Sequence, residues 1–208
     1  MNNLTAVLLA APIAIATPYA VAAQAKLHPA QIQLQQNIES VLKVARDKNL
    51  SEQQKIRQIE NYADNYLDYQ RIAALAVGLP WRQFTPKQKT DFIAAFKEMM
   101  IAMYSRSALL GASSAQFKML PKLVDNGRNR IDVFTEVQTQ NGNKYEVSYQ
   151  LYKNGSVYKL YNIRVDGVSM VTVYRNQFND LIKQKGIDGT ISTVRAKGLK
   201  KADSIKDK

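Results

Sequence analysis

Cysteine is absent from this chain of 208 residues. That excludes a disulfide framework and any thiolate metal site. There is one histidine, His28. A histidine-based triad or a multi-histidine metal centre within one chain is therefore excluded as well. The apolar run from Leu4 to Ala16 is shorter than the ~20 residues a membrane-spanning helix needs, and Pro12 and Pro18 interrupt that region. Acidic residues are few, 17 against 29 Lys and Arg, so the formal net charge is +12. The basic residues are spread along the chain, without the aromatic–basic motifs of nucleic-acid binding. No carboxylate pair, Gly-rich phosphate loop, metal-ligand spacing or internal repeat stands out.

Residues 1–25 carry no charged side chain. Ala20-Val21-Ala22 and Ala23-Gln24-Ala25 both fit a small-x-small cleavage pattern. The segment reads as a secretory signal peptide cut near Ala22 or Ala25, although no Lys or Arg precedes its apolar run. The alternative is a disordered or membrane-anchoring N-terminus. No cysteine follows the run, which excludes a lipoprotein anchor. The expected organisation is a signal peptide over 1–25 and one domain over 26–197. That domain is mainly helical over 26–111 and forms a sheet plus C-terminal helices over 112–197. A flexible tail of alternating Lys and Asp covers 198–208.

Helical spacing dominates the first half. Leu34, Ile38, Val41, Leu42 and Ala45 form one stripe between Ala30 and Lys48. Ser51 and Gln54 form a capping box for a second helix that buries Ile56, Ile59, Tyr62 and Ala63. A third helix, Tyr69 to Val77, stops at Gly78, and Leu79-Pro80 predicts an extended link. Thr85-Pro86-Lys87-Gln88 starts a fourth helix strongly, with an N-cap, Pro at N1 and Gln at N3. It is expected to end at Gly111, and its apolar positions include Phe92, Phe96, Met99, Met100 and Met103, with Tyr104 beside them.

Period-two patterns dominate the second half. Gln116 to Leu120 is extended up to Pro121. Ile131, Val133 and Val137 alternate with polar residues, and so do Val147, Tyr149 and Leu151. Asn141-Gly142 and Asn154-Gly155 are hairpin signals. Tyr161, Ile163 and Val165 alternate along the next strand, which Gly167 breaks. Val171, Tyr174, Phe178, Leu181 and Ile182 then return to helical spacing, which Gly186 closes. A short last helix, capped by Asp188, is expected to end at Gly198. Asp166 and Asp188 read as turn and cap residues rather than catalytic acids. Helices first and last with an antiparallel sheet between them is an α+β layout, the sheet having one apolar and one polar face.

Three linked motifs carry a resemblance. They are Gly167-Val168-Ser169-Met170-Val171, then Arg175 and Phe178, then Gly186-Ile187-Asp188-Gly189. Upstream, Tyr66, Asp68, Tyr69, Arg71, Gly78, Trp81, Thr85, Gln88, Phe92 and Phe96 add to it. The region from about Ile56 to Lys197 resembles the MlaC family, also called the toluene-tolerance family. One departure is Asn162, where the family often has Asp. The resemblance implies a curved NTF2-like sheet with an N-terminal helical subdomain, enclosing an apolar lipid cavity. It implies a periplasmic, non-enzymatic phospholipid shuttle of an ABC-type transport system that maintains outer-membrane lipid asymmetry. Its partners would be an inner-membrane transporter component and an outer-membrane lipoprotein complex, with phospholipid as cargo, no cofactor and a monomeric chain.

Such cargo sets a demand that can be put in numbers. A diacyl lipid carries ~30 methylenes, each costing ~0.8 kcal/mol in water, roughly 24 kcal/mol together. Both chains must be sheathed. Phe92, Phe96, Met99, Met100, Met103 and Tyr104, facing Val147, Tyr149, Ile163 and Val165, with Val168, Val171 and Tyr174 beyond the strand, are the expected lining. The alternative is that these residues form a closed core. Arg71 and Arg175 suit phosphate by their guanidinium geometry, but ion pairs with Asp or Glu are the simpler expectation. The positive charge fits docking on anionic membranes or acidic partners, or merely a solvated surface. An NTF2-like small enzyme of the isomerase kind, using Tyr104, Tyr149 or Tyr161, is the competing class.

Overall fold

The computed structural model describes residues 27–206, with side chains except at 104–110, 112–113 and 198–206. The expected signal peptide lies outside the described residues. Helix α1 (Pro29–Arg46) opens on a capping box. The lone histidine is its N-cap: His28 Nδ1 accepts from Ala30 N, and Gln31 Oε1 accepts from His28 N. Helix α2 (Glu52–Tyr66) starts on the expected Ser51–Gln54 box. Helix α3 (Tyr69–Val77) is capped by Asp68, which accepts from Arg71 N. Leu79–Gln83 is a 3-10 turn rather than an extended link, because the fixed φ of Pro80 suits a first helical turn.

Helix α4 (Pro86–Ser114) starts on the Thr85–Gln88 box and runs past Gly111. Gly111 keeps a helical backbone, and its carbonyl accepts from Ala115 N. Four antiparallel strands follow: β1 (Gln116–Asp125), β2 (Arg130–Gln138), β3 (Lys144–Asn154) and β4 (Val157–Val165). The two-residue β5 (Val168–Ser169) pairs with β4, and the sheet order follows the sequence. β1 does not stop at Pro121. It is an edge strand whose register shifts between Met119 and Leu123, and an irregular edge tolerates a residue without an N–H. Helix α5 (Met170–Lys206) contains the expected break at Gly186 but not the one at Gly198. It runs through most of the stretch read as a flexible tail, since an interior glycine costs only ~1 kcal/mol.

The apolar residues form two cores. On one face Ile131, Val133, Val147, Tyr149 and Leu151 pack with Ala30 and Leu34 of α1. The other core joins α3, α4 and α5 around Val77, Phe92, Phe96, Tyr174, Phe178 and Val194. Aromatic rings interlock there: Phe96 meets Tyr174 edge-on at 5.2 Å, and Phe92 meets Phe178 at 5.2 Å. One residue corrects the expected alternation of β4. Leu151 pairs with Leu160 but Gln150 pairs with Asn162, so Tyr161 is the extra residue of a β-bulge. The bulge sends Tyr161 to the helical core and leaves Leu160 and Ile163 on the α1 face.

Candidate functional site

Between α1, α2 and the apolar sheet face lies a cavity of about 680 Å³. Leu34, Ile38, Val41 and Leu42 of α1 form one wall, and Ile59, Tyr62, Ala63 and Tyr66 of α2 form the roof. Tyr149, Leu151, Tyr158, Leu160 and Ile163 form the floor. Exposed Gly111, Ser114, Gln140 and Asn141 border it at the end of α4 and the β2–β3 hairpin, and this is its mouth. Among the described residues, no charged side chain lines it. The cavity opens to solvent at this mouth, so its apolar walls leave water fully only when an apolar molecule covers them.

Fasteners hold the wall in place. Gln33 of α1 donates from Nε2 to the carbonyl of Tyr158 at 2.7 Å and accepts from its N–H at 2.8 Å, acting as a strand neighbour to β4. Gln31 Nε2 donates to Leu120 O at 2.9 Å, tying the same helix to β1. At the far end Arg46 donates to Ala115 O at 2.9 Å. The roof is tied less firmly: Ile56 is the one residue of α2 that is fully buried. Inside, Tyr149 accepts from the Thr135 hydroxyl at 3.4 Å. Burial pushes its phenol pKa up against the weaker opposing pull of that bond, so it stays neutral at physiological pH.

Of the expected lining, Tyr149 and Ile163 are on the cavity wall. Val147 and Val165 share their face but sit beside the cavity, within the sheet-side core. Phe92, Phe96, Met99, Val171 and Tyr174 are instead buried in the helical core, with Met100 packed against it. The physical reason is mutual satisfaction. The α4 stripe faces a matching aromatic stripe on α5, so neither is left to face the sheet. Met103 and Val168 are exposed, and the side chain of Tyr104 lies outside the described residues. The walls from α1 and α2 went unassigned, although their stripes were legible. The available signal was that a sheet with one apolar face needs its own helical cover once α4 and α5 pair.

The motif residues have structural work. Asp68 caps α3 and accepts the Tyr152 hydroxyl at 2.5 Å. Arg71 stacks over Tyr152 at 4.4 Å and Tyr161 at 4.8 Å, and Arg175 donates from Nε to Leu75 O at 3.0 Å. Among the described residues, neither makes the ion pair expected of it. Asn162 Oδ1 accepts from Ser169 Oγ and Val171 N at the start of α5, as a carboxylate would. Its Nδ2 adds a donor bond to Gln150 at 2.8 Å. Asp188 Oδ1 accepts from Gln88 Nε2 at 2.8 Å, which links the two helices of the larger core.

A curved antiparallel sheet roofed by helices over an apolar cavity defines a class of α+β folds that enclose an apolar molecule. The family model described as MlaC protein matches residues 35–196, and the chain belongs to that family. The toluene tolerance protein ttg2D of Pseudomonas putida is 32% identical over 133 residues. That match covers 61% of this chain and 60% of the relative, under two thirds of its length. A phospholipid-binding protein from Ralstonia solanacearum, solved in complex with a phospholipid, superimposes with a TM-score of 0.73. It covers 83% of this chain and 98% of its own at 24% identity, a likeness of fold.

Proposed function

We propose that this protein is a non-enzymatic carrier of phospholipid in the periplasm. The observation that carries the reading is the 680 Å³ cavity, which has no charged lining residue among the described residues. Its walls are mainly aliphatic and tyrosyl, its polar residues are Gln33 and Asn37 of α1, Ser114 of α4 and the 139–141 hairpin rim, and its size falls within the ~300–1,000 Å³ of small-molecule sites. Acyl chains enter and the charged headgroup stays at the mouth. The phospholipid bound by the Ralstonia protein of the same fold supports the choice of cargo. The uncharged, Ala-x-Ala-ending segment before Lys26 supports export, and the family supports a place between an inner-membrane ABC transporter and an outer-membrane lipoprotein complex. In that position the carrier maintains outer-membrane lipid asymmetry.

An isomerase-like enzyme needs an acid–base pair on the wall. Among the described residues this lining has no carboxylate, histidine or lysine, and its buried Tyr149 is held neutral. Native mass spectrometry of protein purified from the periplasm tests the reading directly. The expected spectrum shows a chain shortened to about Ala23 or Lys26, with one phospholipid retained. An intact Met1 sinks the export step, and a mature chain without lipid sinks the carrier.

A further inference from the structure

The polar face of the sheet carries a feature that a lipid sleeve does not need. A second pocket of about 460 Å³ lies between β3, β4 and the first turns of α5, with Arg130, Arg164 and Arg175 on its walls. Asn162, Gln150 and Thr172 line it as well. The register places Gln150, Asn162 and Arg164 on the face opposite Tyr149 and Ile163, so the sheet stands between the two pockets. Lysines elsewhere find carboxylates: Lys97 pairs with Asp64 at 2.6 Å, Lys144 with Glu136 at 3.0 Å and Lys122 with Glu146 at 3.3 Å. Among the described residues, no carboxylate lies within ion-pair distance of the three pocket arginines. The buried Asp132 nearby is held by amides, accepting from Asn126 at 2.8 Å and Gln150 at 3.1 Å.

The arginines are positioned but not used up. Arg175 spends its Nε on Leu75 O and lies against Gly78, where an added Cβ would come within 3.1 Å of its Cδ. Among the described residues its terminal nitrogens have no acceptor, Arg130 makes only long bonds, 3.3 and 3.4 Å, to carbonyls of its own turn, and Arg164 makes none. Converging like charges repel, and an anion among them removes the repulsion. Guanidinium forks match the oxygens of phosphate in pairs. We infer that this pocket is a second binding site, for a phosphate group, separate from the acyl-chain cavity. Free phosphate and the headgroup of an anionic membrane surface share that chemistry.

The test uses the mature full-length protein with wild type, Arg130→Gln and Arg164→Gln. Lys48→Gln, which makes the same charge change outside the pocket, is the control. Arg175 is left alone because it holds the α3 carbonyl. Inorganic phosphate is titrated by calorimetry, and flotation is measured with phosphatidylglycerol vesicles. Loss of one charged donor weakens binding by about tenfold or more. Phosphate affinity that falls so in both pocket variants, and not in the control, identifies a free-phosphate site. Vesicle binding that falls in this pattern while phosphate does not bind identifies a headgroup site. If neither probe binds, or if the pocket variants match the control, the proposal is overturned. Lipid retained in the sleeve should be unchanged throughout, so failure here leaves the carrier reading standing.

Discussion

Tyr161 and Ile163 stand two apart in one strand and yet serve different cores. Period-two alternation assigns them one face, and nothing in the residue types reveals the bulge that separates them. Which side chains meet the cargo is decided by such single-residue details. Ile163→Trp places a large ring on the cavity floor, where there is open space to receive it. Retained lipid, measured by extraction and mass spectrometry, should fall sharply, while the delipidated form melts near the wild-type temperature. Phe96→Ala should do the reverse. Phe96 is 1% exposed, in contact with Tyr174 and Phe178. Its truncation should cost ~3–5 kcal/mol and lower the melting temperature by roughly 10 °C, with lipid kept by the folded fraction. Equal lipid loss in both variants would reject the division into sleeve and core.

At the scale of elements, local chemistry is legible and partnership is not. The boxes at Ser51 and Thr85, the Asn-Gly hairpins and the break at Gly186 all form where the sequence places them. These depend on neighbours within four residues. Whether the α4 stripe faces the sheet or α5 depends on helices far apart in sequence, and two stripes of similar apolarity fit either arrangement. The G-I-D-G step shows what local constraint can specify. Gly186 has φ +69°, a left-handed value that L side chains rarely adopt, and it turns α5 back onto α4. Gly189 follows because a Cβ there would lie 2.7 Å from the Cβ of Lys185. Gly186→Ala should therefore destabilise by about 1 kcal/mol or more. Gly189→Ala should match or exceed it, measured by urea denaturation. Neutral behaviour at both positions would mean that the kink is soft and the helix can straighten.

For the whole molecule, the fold class and the two-faced sheet were legible because composition and period carry them. The cavity was expected only through the family resemblance, because empty space leaves no residue pattern of its own. Net charge is the other property of this scale. With 29 basic against 17 acidic side chains, encounter with an anionic membrane or an acidic partner should be steered over about one Debye length, ~8 Å at physiological salt. Flotation on phosphatidylglycerol vesicles should then weaken several-fold from low salt to 0.5 M. Binding unchanged across that range would assign the excess charge to solubility alone.

For a carrier of the kind proposed above, the division of the interior into two cores has a consequence for a delivery cycle. A courier must give up its load and remain intact for the return journey. If the only dry interior were the one that grips the cargo, every unloading would begin to unfold the protein. Here the interlocked rings of α4 and α5 line no part of the cavity and act as ballast. Cargo adds stability while it is aboard, by mass action, but it is not what keeps the vessel upright. The empty courier can wait for its next passenger.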